Sequence, residues 1–219
     1  MNKVMFFGAG ICAAAVLVPG LFAQPRAGAV ELFGQGGVAF RLPEVDEIFS
    51  EGIVTGLRAA GATNIRVDSG AKTKWYAGGG AGYSFSRNIQ LVGEYNRAQL
   101  AKTRVTFTPR GLRTESTATL SARIDEFNVG MHYLFASKSR VTPYLAGAVG
   151  IARLTGSGSV QGASSFSASE SDLTVNFGGG IRLYGGEKWG FRPDFRVVRL
   201  PGQTYLRAAG VFFLHLGGN

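Results

Sequence analysis

Apolar and polar side chains alternate with a period of two through eight stretches of this 219-residue chain: 30–40, 74–85, 89–98, 120–135, 141–154, 173–184, 189–200 and 205–216. A period of two puts successive side chains on opposite faces of a β-strand. In the third stretch Ile89, Leu91 and Tyr95 share one face, and Gln90, Glu94 and Asn96 the other. The fourth sets Phe127, Val129, Met131, Tyr133 and Phe135 against Glu126, Asn128 and His132. The sixth sets Val175, Phe177, Ile181 and Leu183 against Asn176, Arg182 and Tyr184. The seventh sets Trp189, Phe191, Phe195 and Val197 against Arg192, Asp194 and Arg196. The fifth is less regular, with Leu145, Val149 and Ile151 opposing Tyr144 among several Ala and Gly. In the fourth stretch the apolar parity changes between Ile124 and Phe127, which predicts a bulge near Asp125 or a strand that starts later.

The connections alternate too. "SRN", "ASKSR" and "GGEK" are short hairpin turns, whereas 41–73, 99–119 and 155–172 are long, with "PGQT" (201–204) the short exception. This predicts an antiparallel up-and-down meander with short turns at one end and long loops at the other. The first long connection carries Ile48, Phe49, Ile53, Val54 and Leu57 at roughly helical spacing behind Glu44, Asp46 and Glu47. It reads as a helix, or as one more hairpin that would raise the strand count to ten. The 155–171 connection is rich in Ser and Gly and holds Phe166 as its only large residue.

Composition decides what surrounds the apolar faces. Charged residues make up 17% of the chain and Gly accounts for 33 residues, fewer charges and more glycine than a soluble domain carries. The polar faces combine charges, amides and glycines, unlike the Lys/Glu/Thr coat of a solvated sheet. Small residues such as Gly78, Gly80, Ala146 and Gly178 leave room for large polar side chains across a narrow barrel. Glu94, Glu126 and Asp194 can then pair inside with Arg182, Arg192, Arg196 and Arg207, since buried charges need partners. Apolar outside and polar inside is the pattern of a transmembrane β-barrel, the reverse of a lipocalin-like soluble barrel. The predicted fold is all-β, an eight-stranded antiparallel up-and-down transmembrane β-barrel, with Trp189, Phe191 and Tyr184 near an interfacial belt.

Residues 1–23 read as a secretory signal peptide: Lys3, an apolar run over 4–18, and Ala23 before Gln24, with cleavage after Ala29 as the alternative. Residues 24–219 form the barrel domain. The only cysteine, Cys12, falls in the signal, which predicts a mature chain without disulfides. The net charge of +9 is scattered and carries no nucleic-acid motif.

With these features the chain resembles the small outer-membrane β-barrel family of the OmpA/OmpX type, from Val30 to Leu216. The resemblance implies the outer membrane of a Gram-negative-type bacterium, a monomer surrounded by outer-membrane lipids, and insertion by the barrel-assembly machinery. The family commonly ends its last strand on an aromatic residue, whereas this chain ends "FFLHLGGN". Small barrels similar to it that modify lipid A carry His, Ser and Glu near the lipid-facing surface, which directs attention to His132 and His215. No nucleophile motif surrounds either, and two distant histidines lack metal-ligand spacing. "YAGGGAGY" lies within a strand and is no phosphate cradle. No cofactor, metal or catalytic residue is expected. The expected role is non-enzymatic: long loops presented for adhesion, surface interaction or envelope integrity, with a possible extracellular ligand. A small lumen pore and a lipid A-modifying hydrolase are the alternatives.

Overall fold

A computed structural model describes residues 27–40, 54–69, 74–111, 114–135, 140–160, 165–201 and 203–217. The expected signal peptide, and Ile48, Phe49 and Ile53 of the first long connection, lie outside the described residues. The strands are β1 (Val30–Phe40), β2 (Thr63–Ser69), β3 (Lys74–Ser84), β4 (Ile89–Thr108), β5 (Ser116–Leu134), β6 (Val141–Val160), β7 (Phe166–Tyr184), β8 (Trp189–Leu200) and β9 (Gln203–Leu216). All pairs are antiparallel, and pairing of β4 with β5 closes β1 and β3–β9 into an eight-stranded barrel. Closure leaves the ring without a free edge.

The strand β2 stands outside that ring. It pairs with residues 103–108 of β4, while β3 pairs with residues 90–98, so β2 prolongs the line of β3 along one long partner. Among its described residues, the first long connection therefore supplies a short helix over residues 54–59 and the strand β2.

The strands at the long-loop end are longer than their alternation indicates. A membrane strand needs about 9–11 residues, yet β4 and β6 have 20 residues each and β5 and β7 have 19. Most of the segments read as loops over 99–119 and 155–172 are strand. Their pattern is inverted: Val105, Phe107, Leu120 and Ala122 point inward and are buried, while Arg104, Arg123 and Arg153 point outward.

The same inversion corrects the expected bulge. The ladders run unbroken through Asp125, which faces Arg97 on β4 and Arg153 on β6; the register shift lies on β4 between Gln99 and Ala101. Ile124 is buried and Phe127 is 59% exposed. The pleat continues and the surroundings of the sheet change.

Apolar clusters and buried charges share the interior. Toward the short-turn end Phe33, Val92, Tyr184, Val211 and Phe213 cluster among the polar side chains of Glu31, Gln90, Arg182 and His215. Further charged side chains occupy the middle. Toward the long-loop end Tyr76, Ile124, Val198, Leu200 and Tyr205 pack together, and beyond them Val105, Phe107 and Leu120 meet Leu57 and Ile65. The outside is a belt of exposed Phe, Leu, Ile, Val, Tyr and Trp, with Leu173 at 65% and Phe177 at 60%. Tyr184, expected near that belt, instead lies inside at 5% exposure with its ring edge-on to Phe213. Its even parity with Arg182 places it there. Small inward residues make the narrow bore possible: a Cβ on Gly80 would overlap the Gly93 carbonyl oxygen, and one on Gly180 the Pro193 carbonyl oxygen.

Candidate functional site

The alternation that turns Phe and Val outward turns every second residue of each strand into the bore. There the barrel brings together Arg182 from β7, Arg192 and Arg196 from β8 and Arg207 from β9, all almost completely buried. They meet four carboxylates, Glu31 from β1, Glu94 from β4, Glu126 from β5 and Asp194 from β8.

Two centres organise these charges. Toward the short-turn end, Glu31 accepts hydrogen bonds from Arg182 Nη1 and Arg192 Nη1, each at 2.6 Å, and lies 2.9 Å from His215 Nε2. Arg182 also donates to Gln90. Higher in the bore, Glu94 Oε1 accepts from Arg196 at 3.1 Å and Arg207 at 2.9 Å; Arg207 also reaches Glu126 at 2.9 Å. Arg196 forks onto Asp194 at 2.9 and 3.2 Å, and Tyr144 donates its hydroxyl to the same carboxylate. His132 links the centres, with Nδ1 3.3 Å from Arg182 and Nε2 3.2 Å from Arg196. A neutral imidazole accepts at one nitrogen only, so one of these two contacts is a hydrogen bond. Aromatic faces complete the packing: Arg192 lies over Phe33 at 4.6 Å, Arg207 over Tyr76 at 5.2 Å and Arg182 over Phe213 at 5.3 Å.

Four guanidiniums against four carboxylates leave the cluster without net charge when both histidines are neutral. The cavity beside it, lined by Tyr76, Asn96, Glu126 and Arg207 among others, measures about 10 Å³, room for one water at most. Arg182 Nε, Arg192 Nε and Nη2, and Arg207 Nε find no partner among the described residues. This arrangement can fix strands to one another and fill the bore.

Glu31 is absent from the set read from the sequence, although it is the hub of one centre. Its strand, "VELFGQGGVAF", alternates, and parity alone places Glu31 inward with Phe33 and Gln35. Both histidines are inward as well, His132 at 2% and His215 at 7% exposure. Neither can reach a lipid ester on the outer surface, which removes the geometric basis of the hydrolase alternative.

An outer membrane protein beta-barrel domain model matches residues 60–211. No curated protein sequence matches the chain significantly. Among solved structures, Neisserial surface protein A is 10% identical with a TM-score of 0.52, covering 86% of this chain and 97% of that one. The N-terminal β-barrel domain of Pseudomonas aeruginosa OprF is 12% identical (TM-score 0.45, 87% and 99% covered). Ail, the attachment invasion locus protein of Yersinia pestis, is 13% identical (TM-score 0.45, 86% and 98% covered). With the belt facing lipid and the family model spanning most of the closed ring, the chain belongs to the outer membrane protein beta-barrel domain family and is an integral barrel of the outer membrane.

Proposed function

We propose that this barrel is a non-enzymatic envelope protein that holds a β-structured platform outside the lipid for adhesion or other surface interaction. One observation carries the reading: β4–β7 continue well beyond the apolar belt as a paired wall with an apolar inner face, above a bore closed by balanced charges. A conduit has no use for such a wall, whereas a displayed surface requires it, because binding residues sit best on a rigid scaffold. In this reading the long-loop end faces outward, residues 1–23 direct export, the assembly machinery inserts the chain, and it functions as a monomer.

The test compares whole cells producing the full protein with cells producing a variant in which residues 103–119 and 155–170 are replaced by tight turns. Binding to immobilised matrix proteins and polysaccharides is measured, and barrel integrity is checked by heat-dependent gel mobility. Equal binding by folded versions of both proteins refutes the display role. The orphaned Arg donors favour one second reading, a hydrated lumen that conducts weakly. Discrete conductance steps from the purified protein in planar bilayers would establish it.

A further inference from the structure

The outer surface carries a second charged group, unrelated to the bore. Paired residues across β4, β5, β6 and β7 form outward-facing rows. Tyr95, Phe127, Ile151 and Leu173 make one row, entirely aromatic or aliphatic. The next row toward the long-loop end is Arg97, Asp125, Arg153 and Ser171, followed by Gln99, Arg123, Thr155 and Ser169. Two residues along a strand advance about 6.7 Å. The surface therefore passes from lipid-facing to cationic in a single step, at the height where acyl chains give way to headgroups.

The three arginines are not consumed by neighbours. Asp125 accepts from Arg97 Nε at 2.6 Å and lies 3.4 Å from Arg123 Nε, yet the Arg97 and Arg123 side chains remain 55% and 53% exposed. Arg153 donates to the Ser169 hydroxyl at 3.0 Å. Three guanidiniums against one carboxylate leave two positive charges in excess. They surround an open hollow of about 500 Å³ that Thr155, Ser167 and Ser169 also line. Guanidiniums pair bidentately with phosphate oxygens, and hydroxyls exchange hydrogen bonds with sugars. Tyr95 reaches up from the apolar row to donate to Asp125 at 2.6 Å, as aromatic residues do at a membrane interface.

We propose that this hollow binds the phosphorylated saccharide headgroup of a glycolipid whose acyl chains lie on the row of Tyr95, Phe127, Ile151 and Leu173. The occupant is a lipid and not a free anion because the apolar row continues directly from the cationic one. In the orientation proposed above, this lipid belongs to the outer leaflet. The inference rests on that orientation only for the choice of leaflet, so binding in micelles tests the site even if the display role fails.

The experiment measures binding of fluorescent bis-phosphorylated lipid A to the purified full-length barrel in zwitterionic micelles. The dephosphorylated lipid and inorganic phosphate serve as comparison probes. The variants are R123Q/R153Q, and R87Q at the opposite end of the barrel as a control for net charge; heat-dependent gel mobility verifies folding of each. The expected result is tighter binding of the phosphorylated lipid, a roughly tenfold loss in R123Q/R153Q, and no change in R87Q. Equal binding of the dephosphorylated lipid, or unchanged affinity in the folded double variant, overturns the site. Displacement of the lipid by inorganic phosphate at matching concentration overturns the lipid assignment.

Discussion

Replacing Glu31 by Gln keeps the shape of the side chain and removes its charge from the bore. Glu31 contacts Arg182, Arg192 and His215, and the pairs with the two arginines are almost fully buried. Three charge-assisted hydrogen bonds taken singly, at about 1.5–3 kcal/mol each, would sum to more than such losses usually reach. Removing one partner of a buried ion pair costs about 3–5 kcal/mol, because the charge left behind is buried without its counter-ion. That smaller range is the expectation for E31Q, two to four decades in the unfolding equilibrium. The assay is urea unfolding in phospholipid micelles, followed through the lipid-exposed indoles of Trp75 and Trp189. Adding R192M to E31Q removes one of the two guanidiniums left without a carboxylate and restores the charge balance of the bore, so the double variant should regain more than about 1 kcal/mol relative to additivity. A single variant within about 0.5 kcal/mol of the parent, together with an additive cycle, would refute the argument. Water would then be screening the bore.

G180A should lose about 1–3 kcal/mol, because its Cβ meets the Pro193 carbonyl oxygen. G93A, on the outer face with nothing within 4 Å, should be neutral or slightly stabilising; the same unfolding assay separates them. Partial burial raises the Asp125 carboxyl, but hydrogen bonds from Tyr95 and Arg97 with the nearby Arg97 and Arg123 charges outweigh it, so its pKa lies below the ordinary 3.8. A depressed folded value means that the contribution is complete above the unfolded pKa and is lost as pH falls through the folded one; NMR titration should place the midpoint below 3.8, and D125N should abolish this part of the acid sensitivity. Cleavage after Ala23 should leave Gln24 as the mature N-terminus by mass spectrometry. Gly28 donates to the Ser84 carbonyl and Ala29 accepts from the Ser84 amide, so cleavage after Ala29 would strip the start of the β1–β3 ladder.

Eight strands, their faces and the short turns were legible because lipid imposes one rule along the whole belt: apolar out, polar in. The rule stops where the lipid stops. Beyond Tyr95 and Phe127 the outward positions become Arg97, Asp125 and Arg123, and the inward ones Ala98, Ile124 and Ala122, so a reader following the membrane pattern sees disorder and infers a loop. The Ser and Thr of these segments give them a loop-like composition, yet long-range ladders hold those residues in strands. In the bore, Arg182 and Arg192 could be assigned inward by parity. Their shared partner Glu31, 151 and 161 residues away, was obscured by a strand half made of Gly and Phe. Which charges meet is fixed by barrel stagger, and no local spacing records it.

The charge network also bears on how this sequence selects one register. Apolar replacement of a buried ion pair is often neutral or better for stability, so stability alone does not account for four arginines in a narrow bore. A strand shifted by one residue exchanges its two faces. With an apolar bore, that exchange would place apolar groups in lipid either way and cost little. With Arg182, Arg192, Arg196 and Arg207 inside, it turns guanidiniums toward lipid, at about 2–4 kcal/mol each near the midplane. For β8, which carries two of them, the penalty reaches about 4–8 kcal/mol, comparable to the whole stability of a small domain. The doubly substituted E31Q/R192M barrel can thus recover its stability while losing part of its discrimination against slipped pairings. On this account the charges act chiefly during assembly, and the filled bore is their consequence.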